Sequence, residues 1–195
     1  MRQLGNGLSA VYHYEDALAV QEAELSMLRR LGTPEANILD VHCNLAVTYA
    51  KLGRDEEALS MRREVYSGRV KLDGDESERT LRAANNYAVS LRNLRRFEEA
   101  KRLMRKTMPV ARRVLGDVHA LTFMMRKLFG EALFCDSGAT LDDVREAVST
   151  LEETERTARR VLGGSYPNVR EIQKSLRVAR EVLRARETPS PAESA

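Results

Sequence analysis

The sequence predicts an all-α protein built as a stack of antiparallel helical hairpins, and three observations lead there. The chain repeats itself, because laying residues 41–82 over 83–124 gives 12 identities in 42 positions, where ordinary composition would give roughly one in fifteen. Within a copy the apolar residues recur at helical spacing, as in Ala84, Tyr87, Ala88, Leu91 and Leu94, the stripe of an amphipathic helix. Acidic residues open the second segment of each copy and basic residues followed by glycine close it, the order that a helix macrodipole and a glycine C-cap favour.

An incomplete copy comes first, over residues 4–35, in which Tyr14-Glu15-Asp16-Ala17 matches Phe97-Glu98-Glu99-Ala100 and Leu31-Gly32 matches Leu115-Gly116. The first full repeat, about 36–77, shares Asn44, Ala46, Val47 and Leu52 with the second, and Glu56-Glu57 and Gly74 bound its second helix. In the second repeat, about 78–118, Glu98-Glu99 open the second helix while Arg112, Arg113 and Gly116 close it. Ala46, Ala58, Ala88 and Ala100 place a small side chain in register where two helix backbones must approach closely. Pro109 falls inside a helix and Ser67-Gly68 lies near the equivalent place in the preceding repeat, so a bend is expected at both.

The third repeat, about 119–165, matches in two registers. Phe129, Gly130 and Leu133 fall 42 residues after Tyr87, Ala88 and Leu91, whereas Ala158–Gly163 falls 47 after Ala111–Gly116. Five residues are therefore inserted around Asp136–Thr140, and a loop is expected to hold them. A capping helix follows at about 166–186, and residues 187–195, with two prolines and no apolar side chain larger than Ala, form an expected disordered tail. Residues 4–186 thus read as a single helical-repeat domain.

Composition excludes several classes. With 43% hydrophobic and 31% charged residues among 195, and only 11 Gly and 5 Pro, the chain can bury a core and is not a low-complexity protein. No stretch approaches the ~20 apolar residues that span a bilayer, so no membrane partner is expected. The first residues form neither a secretory signal nor a transit peptide, which points to the cytoplasm. Cys43 and Cys135 sit in apolar-periodic segments and read as small buried hydrophobes. The sequence holds no Gly-rich phosphate loop, no zinc-protease or serine-hydrolase motif and no Cys/His cluster. Catalytic residues, metal sites and cofactors are accordingly not expected. His13, His42 and His119 lie in separate copies, and His42 falls on an apolar stripe as a core residue.

The pattern Asn44-Leu45-Ala46-x-x-Tyr49-x-x-x-Gly53-x-x-x-x-Ala58, repeated loosely from Asn86-Tyr87-Ala88 to Ala100, resembles the tetratricopeptide repeat. A 42-residue period is longer than the ~34 of the common form. The long form, standing here as Arg113-Val114-Leu115-Gly116-Asp117-Val118-His119-Ala120-Leu121-Thr122 and again over Arg160–Val169, is similar to the repeats of kinesin light chains. That resemblance implies a right-handed α-α superhelix whose first helices line a concave groove for peptide segments of partner proteins. No heptad coiled coil of the kind that joins a light chain to its heavy chain accompanies it.

The positions matching the groove are Asn44, Val47 and Lys51 in the first full repeat, Arg82, Asn85, Asn86, Val89, Arg92 and Asn93 in the second, and Lys127 in the third. An Asn side chain there supplies both a donor and an acceptor to a bound backbone. The alternative is that Asn44 and Asn86 hydrogen-bond only between adjacent helices and that the arginines are solvated. Residues 78–116 hold 11 Lys/Arg against 3 Asp/Glu, a concentration that the net +3 conceals and that suits an acidic protein partner. A basic module binding nucleic acid through Arg95, Arg96, Arg102 and Arg105 is the rival reading, although no aromatics interleave the run. A purely architectural piece of a longer array is the third. Leu4, Leu8 and Val11 begin inside a repeat, so a fragment of a longer array is expected, or self-association or a partner covering that end.

Overall fold

The computed structural model describes residues 13–188. Among them stand eight α-helices and no strand: α1 Tyr14–Arg30, α2 Glu35–Lys51, α3 Asp55–Asp73, α4 Glu78–Asn93, α5 Phe97–Leu115, α6 Ala120–Phe134, α7 Leu141–Leu162 and α8 Pro167–Glu187. Leu4, Leu8 and Val11 of the opening copy, and the tail from residue 189 onward, lie outside the described residues. The chain forms two compact units divided between Leu94 and Arg95.

Helix ends follow local chemistry. α3, α5 and α7 carry acidic residues in the first turn and Lys71, Arg112–Arg113 and Arg159–Arg160 in the last, each sign at the pole that stabilises it. All three stop at a glycine, Gly74, Gly116 and Gly163, with φ of 80°, 87° and 81° and ψ of 167°, 163° and 151°, a region essentially closed to side chains. α7 begins with a capping box in which the Thr140 hydroxyl accepts the Asp143 N–H at 3.1 Å and the Asp143 carboxylate accepts the Thr140 N–H at 2.9 Å.

In the first unit α2 packs on α1 and α3, and α3 on α4. Leu18 and Leu25 of α1 meet Val41 and Leu45 of α2, and the buried Thr48 hydroxyl donates to Gln21 Oε1 at 2.9 Å. Arg69 of α3 is buried and donates to Asp40 of α2 at 2.6 Å, a placement that leaves the cation paired as burial requires. In the second unit α6 packs on α5, α7 and α8, and α7 on α8. The core there is Phe123, Met125 and Leu133 of α6 with Leu151 of α7 and Ile172 of α8, all fully buried. Arg145 at the start of α7 reaches Glu187 at the end of α8 at 3.0 Å, while Gln173 early in α8 reaches Glu155 late in α7 at 2.8 Å. These pairs fix α7 and α8 as antiparallel.

The small residues mark close helix approaches. Ala46, Ala58, Ala88 and Ala100 are all buried. Gly130 follows Ala46 and Ala88 in register, and a Cβ on it would stand 2.8 Å from Leu151 Cγ, inside van der Waals contact. Gly68 has the same role, since its Cβ would stand 2.7 Å from Leu39 Cδ2. α3 and α5 continue through Ser67-Gly68 and Pro109, and the glycine at 68 makes room for Leu39 against the α3 backbone.

Two expectations are corrected. The inserted residues of the third repeat do not all enter the loop: α7 has 22 residues against 19 in α3 and α5, so the insertion also extends the helix. Thr140 capping Asp143 moves the helix start back along the chain. Cys135 is exposed, because α6 ends at Phe134 and leaves the cysteine as its C-cap. Cys43 is half-buried.

Candidate functional site

The groove positions of the first two full repeats lie on α2 and α4, the first helices of successive hairpins in the first unit. Val47 is 49% exposed, Lys51, Arg82, Asn86 and Asn93 are exposed, and Asn44, Val89 and Arg92 are half-buried. The side-chain amides of Asn44 and Asn86 make no hydrogen bond among the described residues. They are therefore not spent on bridging adjacent helices.

Asn85 departs from the group at 4% exposure, with its Oδ1 buried and unmatched. The reason is helical phase, because Asn85 lies four residues after Leu81 and three before Ala88, both on the packed face. Lys127 stands on α6 in the second unit, half-buried, with its ammonium 3.4 Å from Glu131.

A cavity of about 110 Å³ opens between α2 and α4, lined by Cys43, Val47, Arg62, Val65, Ala83 and Asn86. Burial pushes the Cys43 thiol above its ordinary range, so it remains neutral at physiological pH and contributes an apolar wall. Arg62 of α3 donates to Ser90 Oγ at 2.9 Å and to the Asn86 carbonyl at 3.2 Å, tying α3 to α4 beneath the exposed Asn86 side chain. Sequence reasoning passed over Arg62 because it sits on the second helix and aligns with Met104 in the next repeat. No signal in the repeat register marks it.

The cations of the basic middle segment are largely engaged. Arg82 pairs with Glu78 at 2.5 Å, Arg96 with Glu99 at 2.6 Å, Arg112 with Asp117 at 2.6 Å and Arg105 with Glu146 at 3.5 Å. Lys101 is buried and pairs with Glu98 and Asp136, and Arg92 donates to Asn93 Oδ1 at 3.0 Å. Asp117, Asp136 and Glu146 lie outside the window that reads as basic in sequence, so folding brings in carboxylates that the linear count omits. Of the arginines offered for nucleic acid, Arg95 and Arg102 carry no ion pair among the described residues.

His42 is buried, with Nε2 3.4 Å from the Arg29 guanidinium and Nδ1 3.4 Å from Glu64. Burial pushes its pKa below 6.5, Glu64 opposes that shift and Arg29 adds to it. His119 caps α6, its Nδ1 accepting the Leu121 N–H at 3.3 Å. Among the described residues no group of His, Cys, Asp and Glu could hold a metal ion, and no helix is long and apolar enough to cross a membrane.

Residues 36–113 match the family model described as the tetratricopeptide repeat. No curated protein sequence is significantly similar to the chain. Among solved structures, it is similar to a kinesin light chain-like protein of Podosopora anserina with nearly identical TPR-like repeats, at 18% identity and a TM-score of 0.78 over 95% of this chain and 86% of that one. A single-residue variant of that protein gives a TM-score of 0.80 at the same identity and coverage. BtubC (BKLC) from P. vanneervenii is similar at 16% identity and a TM-score of 0.63, over 98% of this chain and 82% of that one. At such identities the likeness shows the fold, an all-α array of helical-hairpin repeats.

Proposed function

With residues 36–113 carrying tetratricopeptide repeats, we propose that the protein is a non-catalytic interaction scaffold that binds an extended segment of a partner protein along α2 and α4. One observation carries the reading. The amide of Asn86 stands unengaged at a cavity that it lines with Cys43, Val47, Arg62, Val65 and Ala83, and the amide of Asn44, its equivalent in the preceding repeat, is unengaged as well. An extended backbone alternates donors and acceptors, and an Asn amide matches both. The cavity beside Asn86 suits a small aliphatic side chain of the bound segment. The exposed Lys51, with no ion pair among the described residues, inclines this face toward an acidic segment.

The test is a peptide-display selection on the whole chain, followed by fluorescence anisotropy with a selected peptide. Asn44→Ala/Asn86→Ala is expected to weaken that peptide by about tenfold for each side-chain hydrogen bond lost, with helicity by circular dichroism unchanged. Peptides that bind the double variant as tightly as the parent chain would place binding elsewhere. A selection that enriches nothing would overturn the scaffold reading on this face.

A further inference from the structure

The second unit has an end that this reading does not use. Because α5 to α8 run alternately up and down, the C-termini of α5 and α7 and the N-termini of α6 and α8 gather at one end, around the connections 116–119 and 163–166. Val114, Val118, Val161 and Tyr166 project there at 41%, 50%, 47% and 45% exposure. Each connection thus contributes an apolar side chain from the helix before it and another from the turn itself.

Arginines predominate at this end, where Asp117 is taken up by Arg112 at 2.6 Å and Glu171 by Lys174 at 2.7 Å. Residues 156–170 include Arg156, Arg159, Arg160 and Arg170 and no acidic residue. Arg159 pairs with Glu155 at 3.3 Å, while Arg156, Arg160 and Arg170 are exposed and form no ion pair among the described residues. α6 and α8 have no acidic residue in the first turn, unlike the six other helices. Their positive poles add to the arginines, with Asp117, held by Arg112, the acidic group in the connection before α6. The opposite end of the same unit mixes both signs, with Asp136 paired to Lys101 and Asp142 to Arg145.

We propose that this end is a docking surface for an anionic phospholipid bilayer. No described helix is long and apolar enough to cross a bilayer, and peripheral attachment needs only cations beside a few apolar side chains at headgroup depth. Tyr suits that depth, with an apolar ring and a polar tip. The apolar groups project from helix ends and turns, a shape that meets a broad soft surface. Duplex nucleic acid would use the arginines and leave the three valines in water.

The experiment is co-sedimentation of the whole chain with vesicles of phosphatidylcholine, with and without phosphatidylserine. Binding is expected only with phosphatidylserine, and it should fall as salt rises from about 0.05 to 0.5 M. Arg156→Gln/Arg160→Gln is expected to weaken it on the order of twentyfold, about fivefold for each arginine. Arg102→Gln/Arg184→Gln removes the same charge away from this end and should leave binding within about twofold, since those positions lie beyond screening range of the lipid. The chain has no Trp, so Tyr166→Trp supplies a single reporter whose emission shifts to the blue on docking. Overturning outcomes are no sedimentation at low salt, equal losses in the two double variants, or a reporter emission that ignores the lipid. Preferential capture of an RNA homopolymer or an acidic protein, with vesicles left unbound, would overturn it as well.

Discussion

Gly130→Ala tests how tightly α6 and α7 cross. An added Cβ would stand 2.8 Å from Leu151 Cγ and 3.1 Å from both of its terminal methyls. Leu151 is completely buried, so it has no free rotamer to swing into, and relief must come from separating the helices. Overpacking of this kind costs about 1–3 kcal/mol. Ala gains about 1 kcal/mol over Gly in helix propensity, which leaves a net loss of up to about 2 kcal/mol. Urea unfolding followed by far-UV circular dichroism resolves this, because with a slope of about 2 kcal/mol per molar the midpoint falls by up to about 1 M. Leu151→Ala alone is expected to cost about 2–5 kcal/mol through the void it leaves. In the double variant the new methyl partly fills that void, so the combined loss is smaller than the sum. A Gly130→Ala protein as stable as the parent, together with strict additivity in the double variant, would refute the close approach.

Arg95 holds φ at 58° in the connection where the preceding repeat has Gly53 at 73°. Arg95→Gly should therefore raise stability by up to about 1 kcal/mol in the same assay, and a loss would show that the side chain matters more than the backbone. Thr140→Ala removes one half of the α7 capping box and should cost about 1 kcal/mol, while Thr140→Ser should restore most of it. Protonating the buried His42 favours the unfolded chain, since its folded pKa lies below 6.5. Stability is thus complete above about 6.5 and declines as pH falls from there toward the folded value. His42→Gln should flatten that part of the urea midpoint–pH curve, and an unchanged curve would assign the slope to other groups.

Much of the fold was legible because repetition averages out local ambiguity. A single stripe such as Ala84, Tyr87, Ala88 and Leu91 only suggests a helix, but the same stripe 42 residues earlier and later specifies a stacked hairpin. The alanines in register told where backbones meet, and Gly130 and Gly68 extend that logic to approaches with no room for a methyl. The insertion was visible as a change of register from 42 to 47. Its partition between the loop and α7 depended on Thr140 finding Asp143 as its capping partner.

The candidate site was legible in part. Asn44 and Asn86 follow from the repeat register, and their phase places them on one face of α2 and α4. Asn85 lies one residue away and yet is buried, because about 100° of helical rotation carries it onto the side of Leu81 and Ala88. Arg62 and the cavity it lines come from a neighbouring helix and have no sequence signature.

The sequence by itself determined the helices, their pairing and their caps, since these rest on periodicity, propensity and interactions between residues a few positions apart. Tertiary structure alone decided which charges remain available. The arginine-rich segment 78–116 reads as a strong basic field until Asp117, Asp136 and Glu146 are brought against Arg112, Lys101 and Arg105. Arg156, Arg160 and Arg170, spread over two helices, become one unpaired group only when the α7–α8 turn folds back. A Coulomb interaction depends on distance in space and on burial, and a linear sequence carries neither.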